Sequence, residues 1–191
     1  MPVRSEDLSA WLDGYRDVAT IAIVVCIGLA ALHLAISAAR QPRWAPNRRP
    51  HLLSSALALA VIALVVGLGV TALGGLWIGD DALHGWPLFA HVGLGGAFLI
   101  ALALFALARA AASRPGRAEV YGRLARIGFW LVLLTGLVVG GSMMVATLPV
   151  LGGESMELTI ELHRWAGLSL VLSVVAYSHG LLLGRMARRR A

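Results

Sequence analysis

Two histidines of this chain stand in a repeated setting. His91-Val92-Gly93-Leu94-Gly95 opens one apolar run, and His163-Arg164-Trp165-Ala166-Gly167 opens another, each histidine four residues ahead of a glycine. An imidazole inside a helix surrounded by hydrocarbon is expensive and is found where it serves a function. Neutral imidazole is a strong metal ligand, and two imidazoles can fill both axial positions of a haem iron. The pattern predicts His91 and His163 as the axial pair of one buried haem. Gly95 and Gly167 would give it clearance, and Arg164 would pair with a propionate.

A second pair shares a different depth. His33 lies fifteen residues into a predicted span at 18–39, and His179 seventeen into one at 162–183. At about 1.5 Å per residue, the two levels are roughly 20–25 Å apart. Two such pairs form a two-haem layout, with His33 and His179 as ligands of an inner iron. Rotation argues against one shared seam. The sixteen residues from His163 to His179 turn a helix by about 160°, whereas fourteen would turn it by about 40°. The fourteen-residue slots hold Tyr177 after His163 and Phe105 after His91. Three arrangements stay open: a bulge in the last span, an inner site on another face toward the first span, or no inner haem. His51 reads as an interfacial residue. His84, beside Asp80, Asp81 and Trp86, reads as a surface residue or a contact for a quinol or partner.

The elements that must position these rings are membrane helices. The chain has 191 residues, is 59% hydrophobic and 14% charged, and has a mean hydropathy of +0.80. That composition excludes an ordinary soluble domain. Five stretches reach the roughly 20 apolar residues of a span: 18–39, 52–76, 87–110, 127–150 and 162–183. Of the sixteen basic residues, thirteen arginines fall in three groups. Arg40, Arg43, Arg48 and Arg49 form the first; Arg109, Arg114, Arg117, Arg123 and Arg126 the second; Arg185, Arg188, Arg189 and Arg190 the third. Nine of the ten acids lie on the opposite side, with Glu119 the exception. Alternating loops split in this way orient the chain by the positive-inside rule. The expected fold is an all-α, integral membrane five-helix bundle with the N-terminus outside and the C-terminus cytoplasmic, in a bacterial cytoplasmic (inner) membrane. The net charge of +6 reflects topology and anionic lipid rather than nucleic acid.

Residues 1–17 read as an extracytoplasmic segment with an interfacial helix, since Leu8, Trp11, Leu12 and Tyr15 share one stripe; it would lie on lipid or dock an external partner. Residues 18–186 form the bundle and 187–191 a basic tail. The acids before the first span do not fit a cleavable signal peptide. Cys26 is the one cysteine, so no Cys-x-x-Cys-His exists for covalent attachment and a haem would be b-type. The second and third spans resemble the fourth and fifth: Val65-Val66-Gly67-Leu68 against Leu134-Thr135-Gly136-Leu137, each followed by a His-x-x-x-Gly helix. The first span would be an addition to a four-helix core. Gly67, Gly69, Gly74, Gly75, Gly136, Gly140 and Gly141 serve either close helix packing or porphyrin clearance.

The run from Leu162-His163-Arg164-Trp165-Ala166-Gly167 to Tyr177-Ser178-His179-Gly180 resembles the haem helix of membrane b-type cytochromes. The nearest likeness is to the cytochrome b subunits of hydrogenases and formate dehydrogenases, with ferric-reductase-like transmembrane domains beside them. The resemblance covers the last span best, and His179 sits two residues from the position it implies. It implies an electron-transfer subunit carrying one or two b-type haems between a quinone pool and redox partner subunits on the outer face. Enzyme chemistry would then belong to those partners. Two other classes compete. One is a haem-free membrane anchor of a larger complex. The other is a small metal transporter using His91, His163 and Met143 or Met144, which is weakened by the lack of an acid within any span.

Overall fold

The computed structural model describes residues 5–39, 52–78, 83–112, 120–147 and 152–188. They form five helices: α1 (Ser5–Ala39), α2 (Leu52–Ile78), α3 (Gly85–Ala112), α4 (Val120–Ala146) and α5 (Gly153–Arg188). Four carry apolar stretches long enough to cross a bilayer: Ser55–Gly74, Gly85–Arg109, Arg123–Ala146 and Gly153–Leu183. The apolar part of α1 over Asp17–His33 is shorter. His51, Asp80, Asp81, Glu119 and the arginines at 40, 43, 48, 49, 114, 117, 189 and 190 lie outside the described residues, as do the side chains of Leu8, Trp11, Leu12, Trp77, Arg185 and Arg188.

Two helices begin well before the predicted spans. α5 starts nine residues ahead of Leu162, through Glu154, Glu157 and Glu161. Hydropathy marks the part of a helix that sits in hydrocarbon, whereas glutamate is a good helix former wherever it meets water. Glu154 in the first turn also favours the helix dipole. His163 is therefore some three turns inside its helix, and not in the first turn as the hydropathy boundary implied. α1 likewise runs unbroken from Ser5 to Ala39, so residues 5–16 lie on the same helix as the apolar stretch Asp17–His33. α3 opens on Gly85, whose φ of +58° lies in the left-handed region that a side chain would strain. α4 closes where the Thr147 N–H meets the Met143 and Met144 carbonyls at 3.3 and 3.2 Å. Pro149, two residues on, has no N–H to continue the ladder.

One hydrophobic core joins α2 to α5. It is built from Ala58, Val61 and Val65 of α2, Phe98, Leu102 and Phe105 of α3, Phe129 and Val132 of α4, and Leu170, Val174 and Tyr177 of α5. Among the described residues, none of α1 belongs to that cluster. It lies against α5 through a smaller one, Tyr15 and Ala19 on Leu168, with Leu73 and Leu172 beside them. The molecule is thus a four-helix core with one added helix. The two sequence-similar pairs, α2–α3 and α4–α5, each pack as a hairpin. α5 is the central element, touching α4, α1 and α2. Glycine sets its closest approach: a Cβ on Gly128 would stand 2.8 Å from the Tyr177 Cα, and one on Gly180 would stand 2.8 Å from the Ala125 nitrogen. The lipid-side faces carry large exposed side chains such as Ile21, Val24, Leu59, Val70, Ile100, Leu107, Trp130 and Leu137. In water such a surface would aggregate; in a bilayer it is solvated.

Candidate functional site

His91 and His163 meet between α3 and α5. Their ring centroids are 6.3 Å apart and the ring planes cross at 73°. Both rings are partly buried, and each is held from behind by a hydroxyl of the preceding helix. Thr71 Oγ1 of α2 lies 2.9 Å from His91 Nδ1, and Ser142 Oγ of α4 lies 3.1 Å from His163 Nδ1. The repeat thus extends to the contacts: each hairpin brings a hydroxyl from its first helix to an imidazole on its second.

These contacts assign the ring protons. A hydroxyl has one proton to donate. Thr71 directs its own toward the Gly67 and Leu68 carbonyls, both at 3.0 Å, and Ser142 donates to the Val139 carbonyl at 2.8 Å. Each hydroxyl can then only accept from its histidine. His163 Nδ1 also faces the Val139 carbonyl at 3.3 Å, and a carbonyl accepts. With the hydroxyl protons on those carbonyls, the matching tautomer of both imidazoles has its proton on Nδ1 and a lone pair on Nε2. Fixing the tautomer from behind is how metal-ligating histidines are oriented.

The spacing fits an ion between two lone pairs. An imidazole nitrogen binds a first-row metal at about 2.0–2.1 Å, and a ring nitrogen lies roughly 1.1 Å from its centroid, so two rings facing across one ion have centroids roughly 6.3 Å apart. Among the described residues no group of three or more His, Cys, Asp or Glu side chains is placed to hold a metal. Two imidazoles fall short of the four ligands that a bare zinc ion takes, whereas a porphyrin brings four nitrogens of its own. Gly95 and Gly167 lie one turn past the two histidines, and a Cβ on either would meet nothing within 4 Å. The two-imidazole donor set suits a haem iron better than a bare zinc ion.

Arg164 follows His163, and its carbonyl accepts the Tyr15 hydroxyl at 2.9 Å. Tyr15 also packs edge-on against Trp165, with centroids 5.2 Å apart. α1 is thereby pinned to α5 one residue from the His163 position. Burial raises the Tyr15 phenol above its ordinary value, and the nearby Arg164 charge opposes part of that rise.

The other predicted pair also meets, on a different face of α5. His179 Nε2 lies 2.9 Å from His33 Nδ1, with ring centroids 4.8 Å apart. The rotation argument holds: His163 faces α3 and His179 faces α1. The spacing departs from what an inner iron needs, since two ligand bonds of about 2.0 Å would separate the nitrogens by roughly 4 Å. Here the two rings share a hydrogen bond directly. His84 is exposed beside Trp86, which is 85% exposed. Met144 is 64% exposed and Met143 39%, while the residue of that turn that reaches His163 is Ser142.

Thr71 and Ser142 were not legible as site residues. The signal was there in spacing, with a hydroxyl 20 residues before one histidine and 21 before the other, but helical serines and threonines commonly just bond their own backbone. The glycines divide by role. A Cβ on Gly136 would meet Leu102 at 2.7 Å, one on Gly140 would meet Leu99 at 2.5 Å, and one on Gly67 would meet Leu94 at 3.1 Å. These serve helix packing, while Gly95 and Gly167 face open space. No protein-family model matches the chain, and the comparisons with curated proteins and with solved structures found no match.

Proposed function

We propose that this chain is a membrane electron-transfer subunit in which His91 and His163 hold one b-type haem near the outer face. The observation that carries the reading is the paired geometry at α3 and α5: two imidazoles, 6.3 Å apart between centroids, each with a hydroxyl from its own hairpin against Nδ1. Five spans with the N-terminus outside follow from the arginine split, and a bacterial cytoplasmic membrane is the setting that fits it. Such a haem supplies one-electron Fe(II)/Fe(III) cycling.

The chain's own residues do the rest. His91 and His163 would hold the iron through their Nε2 lone pairs, and with two imidazoles bound it would have no site left for oxygen. Thr71 and Ser142 hold the Nδ1 protons and raise the basicity of each ligand. Arg164 supplies a fixed positive charge for a propionate. The apolar walls of α2 to α5 exclude water, which is one of the levers that set a potential. Redox partner subunits on the outer face, or a quinone, would exchange the electron.

A reduced-minus-oxidised absorbance spectrum of the purified protein tests the reading. It should show the sharp bands of a six-coordinate b-type haem, and the reduced form should not bind carbon monoxide. A featureless spectrum from a folded, haem-supplemented preparation would make the chain a haem-free membrane anchor.

A further inference from the structure

The seam between α3 and α5 has a second level. Phe105 lies fourteen residues beyond His91, and Tyr177 fourteen beyond His163, so each sits within about 40° of its histidine on the same helix face. These are the positions from which a second axial pair would reach into the same seam. They meet there, with ring centroids 5.6 Å apart at 74°, and Phe129 closes the group at 5.3 Å from Phe105. Phe105 is 1% exposed, Tyr177 2% and Phe129 6%. Gly128 presses on the Tyr177 backbone at the same level. The upper level has ligating rings with open space one turn past them, whereas the lower has interlocked aromatic rings and touching backbones.

The His33–His179 pair does not open another route. His33 and His179 bond each other at 2.9 Å outside the four-helix core, on the α1 side of α5.

We propose that the bundle carries one redox level and not two: Phe105, Phe129 and Tyr177 plug the inner half, so electrons enter and leave on the outer side only. The proposal rests on the haem reading above. The His33–His179 pair then ties the end of α1 to α5 as a structural hydrogen bond. About 24 Å of helix separates His163 from His179, and among the described residues the lower seam has no histidine: Phe105 and Phe129 have no donor atom, and Tyr177 is packed edge-on against Phe105.

Haem per chain, counted by pyridine haemochrome against protein mass, tests the plug. The expected count is one, unchanged in His33→Ala and His179→Ala. Two haems per chain, or loss of haem in either variant, overturns the plug and leaves the haem reading intact. A count of zero overturns the haem reading itself. Sidedness is tested in membrane vesicles with ferricyanide, which does not cross lipid and takes one electron from reduced haem to give ferrocyanide and the ferric form. External ferricyanide should oxidise the reduced protein at once in right-side-out vesicles and only after detergent lysis in inverted ones. Equal rates in both, or a faster reaction in inverted vesicles, overturn one-sided exchange.

Discussion

At the scale of single residues, two hydroxyls decide whether two histidines are ligands or ordinary polar residues. A histidine alone in a membrane helix can be satisfied by any neighbouring carbonyl. His91 and His163 are satisfied on Nδ1 only, and in the same way twice. Thr71→Val and Ser142→Ala should each weaken haem binding by roughly 10–100-fold, the range seen when partners of metal-bound histidines are removed. Thr71→Ser should retain binding. Haem titration into the apoprotein measures both, and an unchanged affinity in the two hydroxyl-deleted variants would mean that the rings are oriented by packing alone. Tyr15 gives a pH prediction. Its phenol is raised by burial, so the docked tyrosine stays protonated where a free one ionises. The α1–α5 contact is then complete below the ordinary tyrosine pKa and is lost as pH rises through the elevated one. Tyr15→Phe should remove that alkaline transition, as followed by phenolate absorbance and Trp165 fluorescence.

At the scale of elements, α5 must do two things at once. One face carries His163 to α3, and the opposite face carries His179 to α1. Between them it presses so closely on α4 that glycine is needed at 128 and 180. Gly180→Ala would place a methyl 2.8 Å from the Ala125 nitrogen, and overpacking of this kind destabilises by about 1–3 kcal/mol. Gly95→Ala and Gly167→Ala should leave the apoprotein's thermal stability unchanged, because their Cβ atoms meet nothing. They should lower haem affinity if that space is porphyrin clearance. Thermal unfolding in detergent, with and without haem, separates the two kinds of glycine. Equal destabilisation of the apoprotein by all three substitutions would contradict the division. The hairpin repeat, five helices and the 160° rotation were legible in the sequence, because they follow from periodicity and hydropathy; of the five spans expected, four are long and apolar enough, and the apolar part of α1 is shorter. The helix starts at Ser5 and Gly153 were not, since hydropathy reports the lipid-facing stretch and not where hydrogen bonding begins. Gly128 and Gly180 escaped notice because close approach depends on which helices cross, which no local pattern records.

At the scale of the whole molecule, the added helix α1 stands outside the core that holds the paired histidines. Tyr15 and Ala19 fasten it to α5 near the Arg164 end, and the His33–His179 bond fastens it at the other. α1 therefore runs parallel to α5, and the two hairpins α2–α3 and α4–α5 complete an alternating bundle. Its two ends differ in charge. Arg109, Arg123 and Arg126 stand at one end, and Glu154, Glu157 and Glu161 at the other. In the orientation proposed from the positive-inside rule, the His91–His163 pair lies nearer the outer face. A reporter fused after Ala191 should read cytoplasmic, and an extracytoplasmic signal there would reverse every statement about sidedness. Reversal would leave the paired histidines untouched, because their geometry does not depend on which face is outside.

The central claim is that His91 and His163 together hold one iron. Replacing each with alanine, alone, and counting haem per chain in protein whose helix content by circular dichroism matches the parent tests this most directly. Either substitution should abolish the bound haem or convert it to a five-coordinate form that takes up carbon monoxide, while His179→Ala should leave the spectrum unchanged. Full haem content with an unaltered six-coordinate spectrum in both the His91→Ala and His163→Ala proteins would contradict the account.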